Sequence, residues 1–336
     1  MLAWAEGLKT LNSDRVRTLV IHPGYPKTGT TFLQKCVFPY AENEVISPAR
    51  FENGKLSKWV PYSVMGEIRE VMLRRPPSFW NSVPGAALAS RILAMSESAR
   101  RQDTLFVSFE NLLALDFFSP FPSDPNRARP PSDGDEVFQH LRVVADLLAP
   151  NRTSTTLLLT VRRQPEWFAS LYSQYSNRIV PAGQSNFTKQ VRQILNTPSR
   201  RFLDFGWVVR KFGEHVGVGS VNIVPLEEFG HPRFEEVIRR LVPLNSTFVS
   251  DSKSSRSKNV RRTAEQRWQI QKLDFRGPGK TMSPALQHLL PWALIPRPNS
   301  FALTPNFSSE IMEHYKGHNA NLTESWFPLG LPDDYS

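Results

Sequence analysis

Short runs of branched apolar residues alternate along this chain with stretches whose apolar positions recur every three to four residues. Leu19 to Ile21 reads as a buried strand, followed by a turn-rich stretch from His22 to Gly29. An amphipathic helix starts at Thr30, with Phe32, Leu33, Val37 and Phe38 on its apolar side. Further on, the pattern predicts strands at Glu44–Ile46, Thr104–Ser108, Thr155–Val161 and Ser220–Val224. Helices are predicted over Ala86–Arg101, Glu136–Leu148, Pro165–Tyr175, Phe205–Gly213 and Arg233–Leu241. Pro165 falls in a first helical turn, where its missing N–H is harmless. Strands alternating with helices predict an α/β fold, a parallel sheet flanked by helices on both faces.

Two stretches break the alternation. Residues 119–135 contain five prolines and exclude helix or central strand, and 245–259 is rich in Ser, Lys and Arg. Both read as loop insertions in a single domain spanning 1–336. The hydrophobic share of 40% and charged share of 21% are those of a folded globule. One cysteine, Cys36, rules out a disulfide framework or a cysteine zinc site, and is expected to pack in the core. No stretch suits a signal peptide or a bilayer span, so the sequons at Asn186 and Asn321 carry no weight and a cytoplasmic location is expected. The net charge of +10 suits a polyanionic ligand. Nucleic acid is disfavoured, because the basic residues are scattered apart from one cluster at Lys253 to Arg262 and form no recognisable module.

The chemistry concentrates in the first strand–loop–helix unit. A glycine-containing loop entering a helix N-terminus gathers backbone N–H groups at the positive end of the helix dipole, which makes an anion cradle. Gly24 and Gly29 keep the glycine spacing of the triphosphate pattern G-x-x-x-x-G-K-[ST], and Thr31 keeps its hydroxyl position. Thr30, however, stands where that pattern has its lysine, and the lysine has moved ahead of the glycine to Lys27. The magnesium-dependent phosphoryl-transfer apparatus is therefore incomplete. A second unit repeats the geometry. The strand Thr155–Val161 runs into Arg162 and Arg163, and Ser170 lies two turns into the next helix. An arginine fork and a hydroxyl meet there at the carboxyl end of a strand, where open α/β sheets bind ligands.

Tyr25-Pro26-Lys27-Thr28-Gly29-Thr30-Thr31 resembles the 5′-phosphosulfate loop of the PAPS-dependent sulfotransferases (PAPS is 3′-phosphoadenylyl sulfate), close to Y-P-K-[ST]-G-T-T. That family holds the cofactor's 3′-phosphate with an arginine and a serine eight residues apart, the spacing of Arg162 and Ser170. Proline two residues after the arginine would select Arg163 instead, but would leave Leu171 in the serine position. The segment from Trp207 through Phe212-Gly213 to Glu228 resembles the family's helix–FG–strand stretch, and the loop with Arg256 and Lys258 falls where relatives close a basic loop over the cofactor.

The resemblance implies sulfuryl transfer from PAPS to a hydroxyl or amine acceptor, with no metal. It implies Lys27 at the bridging oxygen, the backbone of Thr28, Gly29, Thr30 and Thr31 on the 5′-phosphate, and Phe32 near the adenine. A general base is also implied, for which three residues compete. Glu44 lies in a Glu-Asn-Glu-Val stretch like that of heparan-type glucosaminyl sulfotransferases, Glu110 follows the 104–108 strand, and His22 ends the first. A carbohydrate acceptor is mildly preferred, with Trp59 and Trp80 as possible pocket walls. Two other classes remain open: a P-loop kinase-like phosphotransferase, and a non-catalytic nucleotide- or polyanion-binding protein.

Overall fold

The computed structural model describes residues 16–43, 45–46, 49–52, 55–59, 62–97, 101–110, 113, 135–179, 181–230, 233–246, 267–271, 298, 300–332 and 335. Five strands form its central sheet: β1 (Thr18–Gly24), β2 (Val45–Ile46), β5 (Thr104–Glu110), β6 (Ser154–Val161) and β7 (Ser220–Pro225). Their order is β2-β5-β1-β6-β7, and every pairing is parallel. Between β2 and β5 come a hairpin, β3 (Ala49–Glu52) with β4 (Lys55–Trp59), and two helices, α2 (Tyr62–Arg74) and α3 (Val83–Met95). An earlier helix, α1, starts at Thr30 and continues from Leu33 to Val37 with i→i+5 bonding. Later helices are α4 (Asp135–Leu148), α5 (Gln164–Tyr175), α6 (Gln184–Leu195), α7 (Phe205–Val216), α8 (Phe234–Leu241) and α9 (Pro305–Asn319). Among the described residues there is also a small antiparallel pair, β8 (Arg267–Gln269) with β9 (Ser300–Ala302).

Alternation along the strands builds two cores, one on each face. Leu19, Ile21, Leu105, Val107, Leu157, Leu159, Val161 and Ile223 face one core, which α2 to α7 and α9 cover. Val20, Phe106, Leu158 and Val224 face the other, against Leu33, Val37 and Phe38 and the α8 residues Phe234 and Ile238. Two neighbouring strands thus send their helices to opposite faces: α1 after β1, and α5 after β6. That divergence opens a crevice outside the carboxyl ends of β1 and β6.

Several boundaries differ from the sequence reading. β1 runs through Pro23 to Gly24, because beyond Ile21 it pairs only with β5 and one side has no ladder bonds for a proline to remove. β5 extends two residues further, to Glu110. α3 starts at Val83 instead of Ala86, capped by Ser82, whose hydroxyl accepts from the Gly85 amide, and stops at Met95 rather than Arg101. Cys36 is exposed, not core. In an i→i+5 helix Leu33 stacks with Val37 and Phe38, and Cys36 turns outward. Of the predicted loop insertions, 119–134 and 247–259 lie outside the described residues, while Asp135 opens α4. Among the described residues no helix is long and apolar enough to cross a membrane.

Candidate functional site

The β1–α1 loop turns almost every side chain inward. Tyr25, Pro26, Thr28 and Thr30 are buried, while Lys27 is exposed. The Tyr25 hydroxyl donates to the Phe202 carbonyl. Thr28 Oγ1 donates to the Tyr25 carbonyl at 2.8 Å, and Thr30 Oγ1 to the same oxygen at 3.3 Å. From α5, Trp167 Nε1 donates to the Pro26 carbonyl at 2.8 Å. Gly24 closes against Thr30, whose Oγ1 would lie 2.2 Å from an added Cβ. Lys27 has φ 66°, the one non-glycine residue with positive φ among the described residues, and Gly29 follows at φ 86°. Left-handed residues in a turn are a common ingredient of backbone concavities that bind anions through N–H groups. The first-turn N–H groups of α1, which no helix satisfies internally, adjoin it.

Below the loop lies a buried polar layer. His22 is 2% exposed and uses both ring nitrogens: Nδ1 with Ser108 Oγ at 2.9 Å and Nε2 with Thr160 Oγ1 at 3.2 Å. Thr160 Oγ1 also meets Thr28 Oγ1 at 3.0 Å, and Gln34 Nε2 donates to Ser108 Oγ at 3.1 Å. The layer therefore links β1, β5 and β6 to the loop and to α1. Burial pulls the His22 pKa down to about 3, so the ring is neutral at physiological pH. A neutral imidazole sealed between two hydroxyls is a brace, and this placement removes His22 from the candidates for the base.

The second unit forms at the end of the adjacent strand. Arg162 leaves β6 half-buried, its guanidinium 5.2 Å from the centre of the Trp268 ring, a cation–π distance. Arg163 instead reaches Glu166 at 3.5 Å, whose side chain is 3% exposed. Ser170 is 8% exposed and lies one turn beyond Trp167 on α5, so the helix face that touches the loop also carries Ser170. Glu227, in the turn after β7, accepts from the Tyr335 hydroxyl at 3.1 Å. Desolvation raises its pKa, while the charge of Arg162 works against that rise, which places Arg162 and Glu227 in one electrostatic neighbourhood. The residue as a whole is exposed, while its carboxylate is held by the buried Tyr335.

The remaining predicted residues are placed less fully. Glu110 pairs with Gly24 in the β5–β1 register, which sets its backbone beside the start of the loop. Glu44 lies outside the described residues, and its neighbour Val45 pairs with Phe106, four positions short of Glu110. Thr31 belongs to the first turn of α1. Arg256 and Lys258 are outside the described residues. Trp80 is core rather than pocket wall: it is 1% exposed, and its Nε1 donates to His140 Nδ1 at 2.8 Å. Sequence reasoning missed Trp167, Thr160, Ser108 and Trp268. Thr160 and Ser108 carried a signal, each being a polar residue at the end of a buried apolar run. Trp167 and Trp268 gave none, since only the fold brings them to Pro26 and Arg162.

No family model matches the chain, and no curated protein matches it in sequence. Among solved structures it is similar to a sulfotransferase from Alicyclobacillus acidocaldarius, with 11% identity and a TM-score of 0.44 over 91% of this chain and 94% of that one. So distant a likeness carries no functional argument, which rests on the residues of the site.

Proposed function

We propose that the chain is a PAPS-dependent sulfotransferase acting on a hydroxyl or amine of a small-molecule or glycan acceptor in the cytoplasm. The observation that carries this reading is the form of the loop. Lys27 projects from a turn whose other side chains are buried, and the neighbouring strand delivers Arg162 to the same sheet edge. A 3′,5′-bisphosphorylated nucleotide has two anionic ends, and the crevice offers two cationic anchors. The loop and first-turn amides suit the 5′-phosphate, Arg162 with Ser170 the 3′-phosphate, and Phe32 the adenine. PAPS supplies a sulfuryl group activated by its anhydride link to phosphate. Lys27 neutralises charge developing on the bridging oxygen as the S–O bond to the nucleotide breaks. Glu110 accepts the acceptor's proton as the new bond to sulfur forms.

Turnover tests this directly. With PAPS and a panel of hydroxyl, amine and glycan acceptors, the wild type should release 3′,5′-adenosine bisphosphate. Lys27→Ala should lower kcat by about 10²- to 10³-fold, the usual cost of one transition-state donor. Equal turnover by wild type and Lys27→Ala contradicts the reading.

A second reading, a P-loop phosphotransferase, draws on one feature: β5 ends at an acidic residue, Glu110, whose backbone pairs with Gly24 at the start of the loop, where such an enzyme has its magnesium-binding strand end. Thr30 opposes it. At the position of the phosphotransferase lysine, Thr30 carries a short hydroxyl turned into the fold toward Tyr25 and Thr160. Phosphoryl transfer from ATP–Mg²⁺, abolished in Glu110→Gln, would favour this second reading.

A further inference from the structure

The bond from Trp167 to the loop falls at a sensitive point. A peptide unit is planar, so the orientation of the Pro26 carbonyl fixes that of the Lys27 N–H, one of the two sides between which the rotation about N–Cα of Lys27 is set. That rotation is the left-handed φ of 66°. Other ties hold the residues on either side: Tyr25 through its hydroxyl and carbonyl, and Thr28 and Thr30 through their hydroxyls, which also meet Thr160. Trp167 is 1% exposed, with its ring edge-on to Tyr25 and Phe168. Its N–H therefore has no water to turn to, and a buried donor of this kind holds its acceptor firmly. Phenylalanine would keep an aromatic ring there without the bond, at the cost of a small cavity. Trp167 also sits in the first turns of α5, between Arg162 just ahead of the helix and Ser170 one turn on.

We propose that Trp167 is a positioning residue. It holds Lys27 in the left-handed conformation and mounts the Lys27 loop on the helix that carries the Arg162 and Ser170 anchor. The two ends of a bisphosphorylated nucleotide then meet one rigid frame, and binding at the Arg162 end aligns the reacting end at Lys27. The catalytic half of this inference rests on the sulfotransferase reading. The mechanical half, that Trp167 fixes the loop, does not.

Trp167→Phe separates the two. In the full-length unliganded protein, amide hydrogen exchange of the 25–31 segment should rise at least about fivefold, while β6 and α7 stay unchanged. With PAPS and an acceptor, kcat should fall by about 10- to 100-fold, the scale of a misplaced catalytic group. The affinity for 3′,5′-adenosine bisphosphate should weaken by less than about fivefold, because the Lys27 contact matters most in the transition state. Unchanged exchange overturns the proposal outright, and raised exchange with unchanged kcat overturns its catalytic half. Kcat and affinity falling together, with a general loss of protection, identifies a merely structural tryptophan and also overturns it. Raised exchange in a protein whose wild type shows no sulfuryl transfer refutes the proposed function and leaves the loop mount standing. Should Trp167→Phe fold poorly, site-specific 3-benzothienylalanine replaces the N–H with sulfur in a ring of the same shape, and the same outcomes apply.

Discussion

Lys27 combines exposure, a long flexible cation and a backbone conformation that L-residues avoid. The left-handed region costs an L-residue about 1–2 kcal/mol, and strain of this kind persists where surrounding contacts over-determine it. Lys27→Gly relieves the strain at a chain-entropy cost of about 0.5–1 kcal/mol. It should therefore be as stable as Lys27→Ala or up to about 1.5 kcal/mol more so in urea unfolding, while both lose turnover. Glycine less stable than alanine would show that the strain is absent. His22 gives a prediction in pH. Its folded pKa is lowered from 6.5 to about 3, so the unfolded chain binds the extra proton between those values. Its contribution is fully present above pH 6.5 and is lost as pH falls toward 3. His140, lowered in the same direction by burial, adds to the wild-type slope, so the comparison must isolate His22. In His22→Gln the difference in melting temperature from wild type should be largest near neutral pH and shrink steadily toward pH 4. A difference independent of pH would mean that His22 titrates alike in both states.

At the scale of elements, the loop-to-helix junction depends on Gly29 for two separate reasons. Its φ of 86° disfavours any side chain, and an added Cβ would lie 2.4 Å from the Phe229 ring. Gly29→Ala should cost about 2–5 kcal/mol, the sum of a left-handed penalty and an overpacking term. Adding Phe229→Ala should recover the overpacking part alone, a coupling that a double-mutant cycle in chemical denaturation measures. A strictly additive pair would place the whole cost in the backbone. This junction was largely legible in the sequence, because glycine spacing, a β-branched run and a helix start are local signals. The strand ends were less so: Pro23 reads as a turn residue, and only the one-sided pairing of β1 makes it strand. Helices α2, α6 and α9 went unread although their stripes keep helical spacing: Val64, Ile68, Val71 and Met72; Phe187, Val191, Ile194 and Leu195; Phe307, Ile311 and Tyr315. None follows a strand of the central sheet, so a reading built on the alternation of its strands with helices passes over them.

For the whole molecule, function depends on where the sheet places its strand ends. The two proposed anchors come from distant parts of the chain, Lys27 after β1 and Arg162 after β6, and stand at the carboxyl ends of neighbouring strands whose helices lie on opposite faces. Sequence could identify each anchor by its residue types but could not show Trp167 joining them, since that bond spans 141 positions. The net charge of +10 adds long-range attraction for a polyanionic nucleotide, so on-rates should fall as salt rises. The claim on which the account stands is that the two anchors hold one 3′,5′-bisphosphorylated nucleotide. Thermal stabilisation by 3′,5′-adenosine bisphosphate, set against ATP–Mg²⁺, measures it in wild type, Lys27→Ala and Arg162→Ala. The expected result is about 2.7 kcal/mol of added stability at a hundredfold excess over Kd for wild type, most of it lost in Arg162→Ala, a smaller part lost in Lys27→Ala, and little from ATP–Mg²⁺. Equal or greater stabilisation by ATP–Mg²⁺, or variants that respond like wild type, would contradict it.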